Sequence, residues 1–224
     1  MNKINVDNII LDNNNLFLEY ENITSITSLG NSKLNLFNCN IINLNITVKE
    51  NSHLVINYYS VVYDNKSIIN IFIENNASII LNHSFVNYNK YDLEVLTNFN
   101  GNDGKININI HGINDKGKTN IDVNGYVNNN NNNILDESIR LININGGAAV
   151  SNPNMYISTS KVIANHNTTI GGVRSDELFY LMSKGLNRSD SIKLICDGFL
   201  IKNISDEGLI TKIKEYQSKE AKDA

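Results

Sequence analysis

Hydrophobic and polar residues alternate in short stretches along most of the chain, from residue 4 to about residue 127. Alternation with a period of two is typical of β-strands that bury one face, and no helical stripe of any length competes with it. We therefore predict strands at residues 16–20, 34–37, 44–48, 54–58, 69–73, 79–81, 93–96, 106–110 and 121–123. A strand-like pattern resumes after residue 133 and predicts further strands at residues 139–144, 155–157 and 162–163.

A faint internal repeat connects these stretches. Residues 50–57, 74–82 and 103–108 resemble one another, at a spacing of roughly 25 residues that lies within the range of repeat architectures. Each unit closes a hydrophobic core only by stacking on its neighbours. Asparagine suits such a stack, because its amide pairs with the same residue one coil away and its backbone tolerates left-handed corners. The repeat favours a parallel β-helix, and a β-sandwich is the alternative.

The pattern becomes helical near the end of the chain. Ser175 is predicted to cap a first helix, which ends at Gly185. A second helix is predicted from about Ser189, and Ser205 is predicted to cap a third. The chain is therefore expected to divide into a β domain over residues 1–172 and a helical domain over residues 173–224.

The junction between these parts carries the sharpest candidate for chemistry. Residues 165–172 are predicted to turn from the last strand to the first helix, with Gly171 and Gly172 as turn glycines. His166 lies in this predicted turn, where scaffolded loops commonly carry function. A neutral imidazole is a good ligand for iron or zinc. His166 is thus a candidate metal or cluster ligand, and the alternative is an imidazole that only hydrogen-bonds the turn or fills an interface.

The same region carries a family resemblance. The string HNTTIG at residues 166–171, followed by DELFYLMSKGL and then SIKLICDGF, resembles the C-terminal signature of the SufB/SufD family. Members of that family are scaffolds of the SUF iron–sulfur cluster assembly machinery. The resemblance is specific over about residues 144–200. Before residue 144, only the general character of the sequence is similar. It rests on His166, Thr168, Thr169, Gly171, Leu178, Phe179, Tyr180, Leu181, Gly185, Leu186, Gly198 and Phe199.

This resemblance implies both a fold and a function. The fold is mainly β, a right-handed parallel β-helix with a small C-terminal α-helical domain. The function is that of a scaffold subunit and not of an enzyme. No cofactor is bound permanently, and a transient iron–sulfur cluster forms at a subunit interface. The asparagine run at residues 128–133 is expected in a flexible surface loop where family members often carry a longer insertion, so the chain resembles a shortened member.

The resemblance also implies two partners. A SufC-type ABC ATPase is expected to dock on the C-terminal helices, and a SufB-like subunit or a second copy of the chain is expected to pair with the last strands near His166. The two short helices carry more apolar side chains than their mutual packing requires. The extra side chains would bind the ATPase; the alternative is that they cover the open end of the β-helix. These side chains are Phe179, Tyr180, Leu186, Ile195 and Phe199.

The cysteines indicate a supporting role. Cys39 and Cys196 could bind iron as thiolates. We expect structural roles for both, with Cys196 as a small hydrophobe on the apolar face of its helix. Ala164 and Asn167 stand where ligand side chains of a cluster-binding member are expected. The chain is therefore predicted to be SufD-like and not SufB-like.

Three further histidines, His53, His83 and His111, are spread along the strand region. They would make a metal site only if they shared one face of the β-helix, but their spacing is not regular. We expect structural or surface roles for them.

Composition excludes several other classes. The net charge is −4 at pH 7, from 19 basic and 23 acidic residues, and no basic cluster indicates nucleic-acid binding. The longest apolar runs are too short to span a membrane, and the N-terminus lacks the apolar core of a signal peptide. A cytoplasmic location is expected, without nucleic-acid or membrane partners. The competing functional class is a β-helical carbohydrate-active enzyme or binding protein, and a purely structural β-solenoid is a third option.

Overall fold

The computed structural model describes residues 5–6, 8–128 and 132–223. The strands in these ranges are β1 (Asn5–Val6), β2 (Ile9–Leu11), β3 (Asn15–Glu19), β4 (Asn22–Ile23), β5 (Ser25–Ser28), β6 (Ser32–Phe37), β7 (Asn43–Val48), β8 (His53–Ile73), β9 (Ser78–Phe99), β10 (Lys105–Asp115), β11 (Lys118–Val127), β12 (Asn133–Ile144), β13 (Ala148–Ile157) and β14 (Val162–Gly171). The helices are α1 (Ser175–Ser183), α2 (Arg188–Ile201) and α3 (Glu207–Asp223).

The strands form two broad faces in which neighbours run parallel. The first face stacks β3, β6, the first halves of β8 and β9, and then β10, β12 and β14. The second face stacks β2, β5, β7, the second halves of β8 and β9, and then β11 and β13. The long strands β8 and β9 pass from one face to the other, with a register shift between Val62 and Asp64. This is the predicted parallel β-helix, and the β-sandwich alternative is wrong.

Aliphatic side chains fill the space between the two faces in columns that run from coil to coil. Along one column, Leu34, Ile56, Leu81 and Ile108 are paired in register, and all four are buried. Burying a side chain of this size contributes roughly 1.5–3 kcal/mol. A single coil has no neighbour on which to bury such residues, which is why the repeated alternation in the sequence produces a stacked fold.

Asparagine performs both of the predicted tasks. It occupies left-handed backbone positions at the corners, at Asn13, Asn51, Asn76, Asn132 and Asn145. It also forms ladders between coils. In one ladder the side-chain amides of Asn57, Asn82 and Asn109 each donate to the amide oxygen of the asparagine one coil earlier, over 2.9, 2.9 and 3.0 Å. The repeat lengthens along the chain. Ladder asparagines in neighbouring coils are 22 residues apart at Asn35–Asn57 and 29 residues apart at Asn114–Asn143.

The asparagine run at residues 128–133 is not a loop throughout. Residues 129–131 lie outside the described residues. Asn133, however, is the first residue of β12 and is fully buried. Its amide oxygen accepts from the Gly104 N–H at 2.7 Å, and its amide nitrogen donates to the Gly101 carbonyl at 3.1 Å. The prediction of a surface loop is therefore wrong for the end of the run, because this amide satisfies buried backbone groups of the preceding corner.

The predicted turn over residues 165–172 is also wrong. Strand β14 continues through it to Gly171, and neither Gly171 nor Gly172 has a positive φ. A Cβ added at Gly171 would meet nothing within 4 Å, so no turn conformation or close approach requires glycine there. His166 and Thr168, which were predicted in a turn, are therefore strand residues at inward positions.

The three helices form close to their predicted positions, with different caps. Ser175 is the first residue of α1 and does not cap it, whereas Gly185 has the left-handed φ of +97° predicted for a C-terminal glycine. The side chain of Asn187 caps α2. Asp206 caps α3, its carboxylate accepting from the Leu209 N–H at 3.0 Å.

The helices lie along the outer side of the first face and do not close the end of the solenoid. A second hydrophobic cluster joins them to the strands, with Leu200, Leu209 and Ile213 packed near Phe37 and Tyr59. The alternative in which helical side chains cover the open coil end is therefore wrong. The change from strand to helix falls between Gly171 and Ser175, and the division into domains at residue 172 stays a prediction.

Membrane insertion gains no support from the helices. Across residues 5–6, 8–128 and 132–223, none combines the length and the apolar character needed to cross a bilayer.

Candidate functional site: the open end of the solenoid

The last coil leaves an unpaired edge. Among the described strands, β14 pairs only with β12 and β13 pairs only with β11. The residues of β14 that continue the interior columns therefore have no coil above them. His166, Thr168 and Ile170 are in consequence exposed, although their counterparts one coil earlier, at Glu137, Ile139 and Leu141, are buried.

His166 lies in the middle of this edge strand. Its register partner on β12 is Glu137, so the two residues occupy the same interior column in adjacent coils. Adjacent strands of a sheet are about 4.8 Å apart. The register thus places the exposed His166 one strand beyond the buried Glu137, at the open end of the molecule.

Glu137 is unusual for an interior position. It is only 3% exposed, and neither of its carboxyl oxygens has a hydrogen-bond partner. Burial disfavours the charged form and raises the pKa of Glu137 to about 8. Gly125 on the opposite face leaves room for Leu135 and Glu137, because a Cβ there would lie 2.4 Å from Leu135 Cδ2 and 3.1 Å from Glu137 Oε1.

Glu137 is not among the site residues predicted from the sequence, although the sequence carries a signal for it. The predicted strand began at residue 139, but β12 begins at Asn133. Extending the alternation back through Leu135 places Glu137 on the inward side of the strand. A charged residue at an inward position is the kind of exception that marks a candidate site.

Neither cysteine contributes a thiolate to this end. Cys39 is buried, and desolvation raises the pKa of its thiol to about 11. Cys196 is buried in the cluster between helices and strands, and desolvation raises its pKa to about 12. Thiolates are the form that binds iron. Both cysteines are buried, as expected of residues with structural roles.

The other three histidines are separated from one another. His53 bonds the Ser78 hydroxyl at 2.6 Å on the outer side of β8. His83 is fully buried inside the solenoid. His111 lies on the outer side of β10, where its ring stacks on Phe199 with centroids 4.6 Å apart. Within the described residues, no group of three or more His, Cys, Asp or Glu side chains is arranged to hold a metal ion.

The predicted docking side chains divide into two sets. Phe179 and Tyr180 on α1 are 67% and 62% exposed. Phe199, in contrast, packs into the second hydrophobic cluster and accepts a hydrogen bond from His111 through its carbonyl, at 3.0 Å. Leu186 and Ile195 are half-buried. Among the predicted docking side chains, the mostly exposed ones are thus those on α1.

A cleft of about 930 Å³ lies between α1, α2 and the outer side of the first face. Tyr180, Ile195 and Phe199 line it, together with Leu194, which is 51% exposed and was not predicted. Leu194 escaped notice because it falls between the apolar positions of α2 that face the strands. The cleft combines apolar with charged lining and reaches the edge strand, because Thr169 and Gly171 of β14 also line it.

Acidic groups in this cleft do not form a pair suited to glycoside hydrolysis. Asp176 and Glu177 line the cleft, and the Arg174 guanidinium lies 2.5 Å from the first carboxylate and 3.7 Å from the second. Hydrolysis of glycosides requires one carboxyl group held protonated and a second one ionised across a substrate site. An ion pair with Arg174 instead lowers the pKa of Asp176.

These features define a class: a parallel β-solenoid with a helical cover on one face and a histidine in its exposed last strand. The family model described as "SUF system FeS cluster assembly, SufBD core domain" matches residues 45–199. The chain therefore belongs to this family of iron–sulfur cluster assembly proteins. A comparison with curated proteins finds no match to the chain.

The donor groups at the open end fit a supporting part in handling iron or a cluster. His166 offers an exposed imidazole and Glu137 a carboxyl group without a partner, and both are ligands that iron accepts. A cluster held by this chain alone would need thiolates, which Cys39 and Cys196 do not offer there.

Proposed function

We propose that the protein is a non-catalytic, SufD-like scaffold subunit of a SUF-type complex. In this role it docks a SufC-type ABC ATPase on its C-terminal helices and pairs through β13 and β14 with a SufB-like subunit or a second copy of itself. A cluster or its iron then passes the subunit interface next to His166 as cargo. The family match over residues 45–199 is the observation that carries the proposal.

Two properties of the surface support it. Phe179 and Tyr180 are mostly exposed. Burial of such aromatic side chains against a partner stabilises the complex. The free edges of β13 and β14 present unpaired backbone groups that a second chain can extend. The exposed aromatic side chains belong to α1 and the free edges to β13 and β14, so the two proposed contacts use different elements of the chain.

Co-purification tests the ATPase contact. The full chain is co-expressed with a SufC-type ATPase and isolated with and without ATP, as the wild type and as Phe179→Ala/Tyr180→Ala. Aromatic residues at the centre of an interface commonly contribute 2 kcal/mol or more, so the double variant is expected to weaken binding by roughly 30-fold or more. Tyr63→Ala is the matched control, because Tyr63 is 60% exposed and lies on the solenoid away from α1.

Three outcomes separate the possibilities. Binding by the wild type and Tyr63→Ala, with loss in the double variant, supports docking on α1. Equal binding by all three proteins places the ATPase elsewhere. Absence of association in every nucleotide state counts against the SUF role itself.

A further inference from the structure

We infer that Glu137 is a ligand for a divalent metal ion, which enters through the open end of the solenoid and is shared with His166. The choice of Fe²⁺ as the physiological ion rests on the proposed function, whereas the existence of a cation site rests on the residues alone.

The column that contains Glu137 is the first argument. From coil to coil its inward residues are Leu16, Leu34, Ile56, Leu81 and Ile108, then Glu137, then His166. Aliphatic side chains occupy the column until the last two coils. Polar residues that bind metal ions replace them only where the solenoid opens to solvent.

The cost of Glu137 is the second argument. A buried polar group without a partner is unfavourable, and an ionised one more so. Thr97 adds to the cost, because its hydroxyl is also buried without a partner and lies 3.5 Å from the Cβ position of Gly125. Gly125 keeps a Cβ out of this part of the interior, where it would lie 2.4 Å from Leu135 Cδ2 and 3.1 Å from Glu137 Oε1. A leucine at position 137 would continue the column without any of this cost.

Ligand chemistry selects the class of ion. A carboxylate oxygen and an imidazole nitrogen are shared preferences of Fe²⁺, Mn²⁺ and Co²⁺, while soft ions prefer thiolates, which are absent from this column. A cation between Glu137 and His166 would compensate the buried negative charge. Water or a subunit paired at the open end would complete the coordination.

The test is an anaerobic titration of the purified, metal-free full chain with Fe²⁺ by calorimetry, repeated with Co²⁺ and followed by visible absorption. The variants are Glu137→Gln, which keeps the shape, Glu137→Leu, which restores the aliphatic column, and His166→Ala. Glu94→Gln is the matched control, a glutamate on the outer side of β9 that is half-buried.

The wild type is expected to bind one ion per chain. Affinity is expected to fall at least tenfold in both Glu137 variants and in His166→Ala, since even outer-sphere partners of a metal ligand change affinity by about that factor. The Glu94 variant binds like the wild type. Fe²⁺ is expected to raise the melting temperature of the wild type and of Glu94→Gln only, because binding to the native state stabilises it.

A second readout guards against a folding artefact. Without metal, Glu137→Leu is expected to melt at a higher temperature than the wild type, so loss of binding in that variant cannot come from unfolding. Fe²⁺ binding that is unchanged in Glu137→Leu, or absent from a folded wild type, would overturn the inference.

The same proteins separate this inference from the proposed function. Glu137→Leu is expected to co-purify with the ATPase as well as the wild type does. Metal binding that depends on Glu137, with no ATPase association, would support the metal site and contradict the SUF role. ATPase association without Glu137-dependent metal binding would support the SUF role and contradict the metal site.

Discussion

His83 is held as a neutral imidazole in the middle of the solenoid. Its Nδ1 atom lies 3.3 Å from the Tyr58 carbonyl, and its Nε2 atom lies 3.1 Å from the Tyr91 hydroxyl. A carbonyl can only accept, so Nδ1 carries the proton and Nε2 accepts from Tyr91. The ring also stacks on Tyr58 with centroids 4.4 Å apart. Desolvation lowers the pKa of His83 to about 4, even though the bond to the Tyr58 carbonyl opposes the shift.

This pKa predicts a loss of stability in acid. The imidazole of the unfolded chain takes up a proton below about pH 6.5, while that of the folded chain resists until about pH 4. Between pH 7 and pH 5, His83 should therefore lower the free energy of unfolding by about 2 kcal/mol. Urea unfolding at the two pH values measures it, and His83→Leu should lack this part of the change.

Tyr91→Phe provides the control for that measurement. The variant loses the hydroxyl partner of His83 and should be destabilised at both pH values by about 1 kcal/mol. Because it keeps the buried imidazole, it should show the same acid loss as the wild type. Parallel pH profiles for the wild type and His83→Leu would show that the acid loss comes from other groups.

At the scale of elements, the segment between α2 and α3 is fixed by the asparagine ladder of the first face. The Asn57 amide oxygen accepts from the Asn82 amide at 2.9 Å. It also accepts from the Ser205 N–H at 3.2 Å and from the Ser205 hydroxyl at 3.0 Å. The Asn203 amide donates to the Asn109 carbonyl, and the Ser84 hydroxyl donates to the Leu200 carbonyl at the end of α2. An outward column of the solenoid is thus buried, and it orients the helical cover.

We expect Asn57→Ala to loosen that cover. The change leaves buried donors on Asn82 and Ser205 without an acceptor, at a cost of about 1–3 kcal/mol for each unsatisfied group. Thermal unfolding should show a loss of several kcal/mol, and hydrogen exchange should become faster in α3. Asn70→Ala removes a rung of an exposed ladder and should cost no more than about 0.5 kcal/mol. Equal effects of the two variants would mean that the buried bonds do not fix the helices.

The elements differ in how well the sequence predicts them. Strands such as β10 can be predicted from local alternation, because their inward side chains are buried in the apolar interior while their outward side chains are more accessible. The extent of β14 cannot, because His166 and Thr168 are polar residues on inward positions that have lost their covering coil. Ser205 illustrates a further limit. Its serine resembles a helix cap, but its side chain bonds Asn57, 148 residues away, and Asp206 caps the helix instead.

At the scale of the whole molecule, the two surfaces that bear on function are the side cleft and the open end. The placement of the helices on a broad face could not be predicted from the sequence, because outward asparagines look the same whether solvent or another segment covers them. The motif at residues 166–199 pointed to the family, and the family match extends back to residue 45. Glu137 was not predicted as a site residue because the predicted strand began at residue 139, whereas β12 begins at Asn133.

Pairing through the open end gives the last prediction. Thr168 is exposed on an inward position of β14, next to His166 and over Ile139. If a second subunit extends β13 and β14, Thr168→Lys puts a charge into the buried seam, where an unpaired charge costs 2–5 kcal/mol or more. The variant should therefore associate with its partner subunit about 100-fold or more weakly, while circular dichroism stays that of the wild type. Light scattering after size exclusion measures the pairing, with and without a SufB-like subunit. Ile42→Lys, at a residue 63% exposed on an earlier coil, should pair like the wild type, and a Thr168 variant that still pairs would place the contact away from this edge.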